Sequence, residues 1–282
     1  MIFKTSTSGL KRFSPLRPTR LFLVICSLSQ MVISNIYASE LAESKITPAC
    51  NTLTVVGSDQ WIPFAYTEDS TEGYKAKGIA FDTAKLILGD LGLKADIKMN
   101  IPWKRLELMM NEGKADLLAG HYWTKERAQK WYISSEFALD EVRVFVNETE
   151  NIAFQSLEDL IDYRGLMPKG VSLGPTFDTF RHKLRIDEVQ EHDQMIAMLN
   201  LKRADYIVLP YFNGQRKINK LNLGEKISAL EPALSINKVH LALSRQSACG
   251  SLSLLEKINQ AINIRLKDGS IKKIEHAYMN SP

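Results

Sequence analysis

Three observations predict an α/β protein of two lobes, each a mainly parallel sheet flanked by helices. First, short apolar runs of strand length alternate with segments whose apolar residues recur at three- and four-residue spacing, the pattern of alternating strands and helices. Second, the sequence contains an internal echo: Met109-Met110-Asn111-Glu112-Gly113-Lys114-Ala115-Asp116-Leu117-Leu118 is matched by Met198-Leu199-Asn200-Leu201-Lys202-Arg203-Ala204-Asp205-Tyr206-Ile207. Both read as a helix end, a basic turn and a buried strand, which predicts two units of related design. Third, Val142–Val146 and Val239–Leu243 are extended, alternating runs on either side of the middle of the chain, placed to act as hinge strands.

The elements follow in order. Residues 1–38 hold Lys4, Lys11, Arg12, Arg17 and Arg20, then an apolar stretch from Leu21 to Ile36, followed by small and polar residues around Ala38 and Ser39. This is the layout of a cleaved secretory leader. A membrane span fits less well, because Ser27, Ser29, Gln30, Ser34 and Asn35 interrupt a stretch that is short of the roughly 20 apolar residues a span needs. Past the leader, a strand is expected at Leu53–Val56, then a turn-rich loop, a helix from Ile79 to Leu91 and a strand at Ala95–Met99. Trp103, Leu106, Met109 and Met110 give the next helix one apolar face. Ser156-Leu157-Glu158-Asp159 resembles a capping box opening a short helix that ends at Gly165, before a strand at Leu166–Lys169. Leu252, Leu255, Ile258, Ile262 and Leu266 predict a long amphipathic helix stopping near Asp268-Gly269. The hinge runs divide the chain into one lobe from 50–146 and 243–282 and a second lobe from 147–242.

Composition and charge limit the function. Of 36 basic and 32 acidic residues, five basic and no acidic ones lie in the first 38 positions, which leaves 31 against 32 in the body. No basic footprint for a nucleic acid remains. Export into the periplasm, an oxidising compartment, leaves Cys50 and Cys249 as one possible pair once Cys26 is removed, and a disulfide between them is expected over two free thiols. No histidine pair has metal-ligand spacing and no glycine loop cradles phosphate, so no cofactor and no metal are expected.

Several motifs, in order, resemble the type II periplasmic solute-binding proteins of family 3, which capture polar amino acids for ABC importers. They are Val56-Gly57-Ser58-Asp59 with Trp61-Ile62-Pro63-Phe64-Ala65-Tyr66, Gly78-Ile79-Ala80-Phe81-Asp82, Gly113-Lys114-Ala115-Asp116, Thr124-Lys125-Glu126-Arg127, Ser156-Leu157-Glu158-Asp159-Leu160 and Lys169-Gly170-Val171-Ser172. The resemblance implies a two-lobed periplasmic-binding fold, a ligand held in the cleft between lobes, and a monomer that meets importer membrane subunits or a membrane receptor. It further implies that Trp61 packs on the ligand, that Gly120 and Tyr122 belong to the contact loop, that Arg127 grips the ligand carboxylate and that Ser172 helps from the other lobe. A guanidinium suits the task, since its fork of donors matches two carboxylate oxygens. Arg105 is a candidate for a second positive group, and Tyr211 is a candidate contact.

The chain also departs from that pattern. Amino-acid binders of the family carry an aspartate for the ligand ammonium five residues after the position of Asp205, and here that residue is Pro210. Proline offers neither charge nor backbone donor. The expected ligand is therefore a small anionic or zwitterionic solute, with Asp59 and Glu141 as acids able to approach the cleft. Two enzymatic alternatives stand beside the binding protein. Gly170-Val171-Ser172-Leu173-Gly174 fits a nucleophile-elbow pattern with His240 downstream, although Pro175 and the place of His240 in a strand weigh against a hydrolase. Some proteins of this fold are dehydratases. A binding protein and no enzyme is the expectation, with ligand sensing as its nearest rival.

Overall fold

The computed structural model of the protein describes residues 50–71 and 73–279. The leader read in 1–38 lies outside the described residues. Strand β1 (Thr52–Val56) buries Leu53, Val55 and Val56. The turn-rich stretch read as a loop instead forms a small antiparallel sheet of β2 (Gln60–Trp61), β3 (Ala65–Ser70) and β4 (Gly73–Lys77). Helix α1 (Ile79–Asp90) packs Ile79, Ala80, Ala84, Ile87 and Leu88 inward. It is followed by β5 (Lys94–Lys98), α2 (Trp103–Asn111), β6 (Leu117–Tyr122), α3 (Lys125–Lys130) and β7 (Trp131–Asn147).

The middle of the chain gives β8 (Arg164–Pro168), α4 (Pro175–Phe180), β9 (Arg185–Val189), α5 (His192–Asn200), β10 (Tyr206–Pro210), α6 (Tyr211–Lys220) and β11 (Ile227–Ala229). The chain returns along β12 (Ser235–Ser244) and ends in α7 (Leu252–Lys267) and α8 (Ser270–Met279). The capping box at Ser156 and Asp159 is present, but it opens only a 3-10 turn, Leu157–Leu160. Gly165 does not end a helix: it lies inside β8, where a Cβ would stand 2.2 Å from the Tyr206 ring. On α7 the buried face is Leu254, Ile258, Ala261 and Ile262, whereas Leu252 and Leu266 are exposed. The helix is therefore rotated from the expected stripe, with Ser251 capping it by accepting from the Leu254 N–H at 3.1 Å.

The two lobes share one sheet. Its order is β5-β1-β6-β12-β7-β10-β8-β9, with β11 beside β7. The β5-β1-β6 and β10-β8-β9 groups are parallel, and the antiparallel pair β12-β7 joins them. Both expected hinge runs belong to this pair, but they lie past the crossing. Val142–Val146 already pairs with Pro210–Tyr206 of β10, and Val239–Leu243 with Tyr122–Leu117 of β6. Between those groups the strands have only each other as continuous partners, with Ser235 opposite Val142 and Val239 opposite Ala138.

The internal echo has a structural counterpart. The Asp116 carboxylate accepts from the Thr54 N–H at 2.7 Å, while its own N–H donates to the Thr54 carbonyl at 2.9 Å. Asp205 does the same with Arg164, at 2.7 and 2.8 Å. In each lobe an aspartate just before the strand clamps the neighbouring parallel strand, satisfying backbone groups that a sheet end would leave open.

Cys50 and Cys249 are bonded, with Cα atoms 5.5 Å apart and a sequence separation of 199 residues. The bridge ties the start of β1 to the segment before α7. Closing a loop of this length restricts the unfolded chain by up to about 5 kcal/mol in the chain-entropy picture. Replacing both cysteines by serine is expected to lower unfolding free energy by several kcal/mol in a urea titration. An unchanged midpoint would show that the bridge contributes nothing.

Candidate functional site

A cavity of about 230 Å³ opens between the lobes. Ser58, Asp59, Trp61, Trp103, Tyr122 and Arg127 line it from one side, and Lys169, Ser172, Leu173, Glu191, His192 and Asn213 from the other. Gln60 crosses the gap, its side-chain amide donating to Glu191 at 3.2 Å.

Arg127 sits on α3, and Thr124 caps that helix by accepting from the Arg127 N–H at 3.1 Å. The side chain is buried to 8% exposure, unusual for arginine without compensation. Its Nη1 donates to the Tyr122 carbonyl at 3.0 Å, its Nη2 reaches Glu107 at 3.4 Å, and the guanidinium lies 4.9 Å from the centre of the Trp103 ring. Burial lowers its pKa from the usual arginine value while Glu107 works the other way. A guanidinium carries five N–H donors, so donors remain for a solute.

The aromatic wall is held from behind. The Trp61 and Tyr122 rings meet edge to face, 5.2 Å between centres. The Trp61 indole N–H and the Tyr122 hydroxyl both donate to Oδ2 of Asp140, at 2.8 and 2.5 Å. Gly120 lines the back of this wall and not the cavity. With φ at +86°, an added Cβ would stand 2.9 Å from the Ala80 Cβ and 3.1 Å from the Trp61 ring, so the close seat of Trp61 requires glycine. Asp140 is nearly inaccessible, and burial raises its pKa to about 7. Burial and Asp140 together raise the Tyr122 phenol.

On the facing wall Ser172 has its hydroxyl engaged: it donates to Asp178 and accepts from the Gly174 N–H at 3.2 Å. Pro210 ends β10 at the cavity and Asn213 follows on α6, its amide 3.0 Å from Nδ1 of His192. The His192 pKa falls to about 4 through burial, with Lys217 adding to the effect. Asp59 is raised by burial, and the proximity of Glu191 adds to the shift. Among the described residues neither Asp59 nor Glu191 has an ion-pair partner.

Besides Gly120, three sequence candidates lie outside the cavity. Arg105 is exposed, because α2 turns Leu106 and Met110 to the core and leaves the preceding position outside the cavity lining. Tyr211 stacks on Phe145 at 6.4 Å with Arg143 over its other face at 4.4 Å, away from the cavity lining. Glu141 pairs with Arg143 at 2.8 Å. The serine-hydrolase arrangement is not assembled, since Ser172 bonds Asp178 while Nδ1 of His240 is 2.8 Å from the Ser134 carbonyl. Trp103, Asp140, Glu191 and His192 are residues of the site that motif matching did not select.

The sequence matches Bacterial extracellular solute-binding proteins, family 3, over residues 53–281. The chain belongs to this family. None of the curated proteins matches it. Among solved structures, this family 3 protein is similar to a histidine kinase sensor domain with similarity to periplasmic binding proteins, at 17% identity and TM-score 0.71, covering 82% of this chain and 97% of that one. It is similar to an ancestral arginine-binding protein bound to glutamine, at 22% identity and TM-score 0.67, covering 82% and 99%. It also resembles an ancestral amino acid-binding protein described as a precursor of cyclohexadienyl dehydratase, at 21% identity and TM-score 0.66, covering 81% and 95%. At these identities the likeness shows the fold.

The buried titratable groups make stability depend on pH in opposite senses. His121 is buried beside His240, and desolvation, with Arg127 nearby, lowers its pKa to about 3. As pH falls below the unfolded value of 6.5, the unfolded chain gains a proton that folded His121 does not, so stability is lost. Asp140 acts the other way: its folded pKa of about 7 lies above 3.8, so its contribution is full at low pH and lost as pH rises from about 4 to 7. Between pH 6 and 4.5, His121→Gln is expected to make acid destabilisation shallower and Asp140→Asn to make it steeper. Each change should be about one proton, or roughly 1.4 kcal/mol per pH unit. Parallel denaturation profiles for the three proteins would contradict the assignment.

Proposed function

We propose that this family 3 protein captures a small solute bearing a carboxylate, an amino acid or related compound, between its lobes and presents it to an ABC importer from the periplasmic side. Arg127 carries the reading. A buried guanidinium lines a cavity of about 230 Å³, a space smaller than the roughly 300–1000 Å³ of drug-sized sites. An anion of amino-acid size fits that room and that charge, with Trp61 and Tyr122 offering aromatic surface. Lys169 adds a second cation to the lining.

Pro210 removes one partner for an ammonium group, but Asp59 and Glu191 supply acids on the cavity lining. A solute cation between them would give a partner to two carboxylates that have no ion-pair partner among the described residues. The reading thus favours a zwitterion over a simple anion. Residues 50–138 and 239–279 form one gripping lobe in this account and 142–234 the other, closing about the β7-β12 crossing.

The test is a thermal-shift screen of the exported protein against amino acids and organic acids, followed by calorimetry on variants. Arg127→Ala should weaken the best solute about 100-fold, and Arg127→Lys should recover only part, because a point charge does not reproduce the fork. Asp59→Asn should weaken amino acids more than their deaminated analogues. Unchanged affinity in Arg127→Ala would overturn the carboxylate clamp. Loss of solute uptake in cells lacking the protein supports delivery to an importer. Retained uptake with a lost regulatory response would favour the sensor role that a kinase sensor domain of the same fold performs.

A further inference from the structure

We propose that Asp140 is a positioning residue that fixes the aromatic wall of the cleft to the crossing strands, so that the pose of Trp61 and Tyr122 depends on one buried carboxylate. The proposal rests on the reading of this cavity as the solute site. Asp140 belongs to β7 within the crossing, with Asn237 of β12 opposite it. One of its oxygens, Oδ2, receives both the Trp61 indole and the Tyr122 hydroxyl. The other, Oδ1, is buried with no hydrogen-bond partner among the described residues. An apolar residue of this size would pack the wall without that cost, and a buried acid with an open oxygen is expensive. What the carboxylate supplies is a shared acceptor that sets two ring edges at once. Trp61 from β2 and Tyr122 from β6 have no other bond in common.

The partner strand extends the connection to the facing lobe. Asn237 lies opposite Asp140 in the β7-β12 register. Its amide donates to the Leu173 carbonyl at 3.2 Å and to the Ser235 hydroxyl at 3.0 Å, and it packs against Gly174. Leu173 lines the cavity beside Ser172. One residue pair on the crossing thus reaches the aromatic wall through Asp140 and the serine turn through Asn237. The groups that act electrostatically on Asp140 are Tyr122 from β6 and Glu141 on its own strand, while Trp61 from β2 and Asn237 from β12 are uncharged.

Nuclear magnetic resonance of the indole protons in the full-length exported protein tests this without a known ligand. Trp131, whose indole donates to Asn111 at 2.8 Å, is the internal control. In Asp140→Ala the Trp61 indole should exchange with water roughly ten-fold faster, the effect of losing a buried hydrogen bond, with Trp131 unchanged. Asp140→Asn keeps the shape and an acceptor, so it should retain the protection. The Trp61 resonance should move with pH between 5 and 9 in the natural protein and stay fixed in Asp140→Asn. Equal Trp61 exchange in Asp140→Ala, or a pH response that survives Asp140→Asn, would overturn the proposal. L-arginine and L-glutamine are then titrated into the natural protein and Asp140→Asn. Displacement of the Trp61 resonance, with affinity in Asp140→Asn diverging from the natural protein as pH rises, ties the wall to binding. If neither amino acid moves the resonance, arginine and glutamine are excluded as solutes of this cleft, while the exchange result still decides the role of Asp140.

Discussion

The antiparallel pairing of β7 with β12 is the constraint on which the rest of the molecule hangs. One strand carries the chain out of the first lobe and the other brings it back; β12 is paired with β6 of the first half of the sheet, β7 with β10 of the second, and the two strands with each other. Backbone bonds of this kind must be kept for a buried sheet to be stable. On the proposed hinge reading, the lobes would rock about the crossing without either losing its own ladder. The cavity is a consequence of the same arrangement, because β6 and β10 end beside the crossing from opposite sides and deliver Tyr122 and Pro210 to it. Open α/β sheets place ligands at such strand ends.

Charge placement in the cleft follows a second rule, that buried ionisable groups are tolerated where something answers them. Arg127 is answered by Glu107, by a backbone carbonyl and by the face of Trp103. Asp140 is answered by two neutral donors and not by a cation, which is why burial wins and the carboxyl holds its proton to about neutral pH. Among the described residues Asp59 and Glu191 have no ion-pair partner. On the proposed reading, the hydrogen-bonded aromatic side of the site is complete in the protein itself, and a solute cation would complete the acidic side.

Much of this architecture was legible in the sequence. The echo around Asp116 and Asp205 marked equivalent helix-strand units, and the structure gives the two aspartates the same backbone clamp. Arg127 was readable because the motif that carries it, Thr124-Lys125-Glu126-Arg127, is local, a capping residue and the helix it opens. Arg105 was misplaced because neighbouring positions on a helix differ by about 100°, and sequence proximity to Trp103 does not carry a side chain into the same cavity. Asp140 was hidden for the opposite reason. It sits in Phe137-Ala138-Leu139-Asp140-Glu141, where alternation alone assigns the apolar residues inward, yet Leu139 is exposed and Asp140 is buried. Only the convergence of β2, β6 and β7 shows what the acid is for, and that convergence is long-range. The β2-β3-β4 sheet was missed because turn-forming composition obscured short strands.

A crystal structure of the protein with a solute that raises its melting temperature would test the central claim most directly. The account predicts the solute between the lobes, its carboxylate hydrogen-bonded to the Arg127 guanidinium, its body against Trp61 and any cationic group toward Asp59 or Glu191. A solute seated outside this cavity, such as in the groove beside Phe212 and Tyr278, or in the cavity with no anionic group near Arg127, would contradict it.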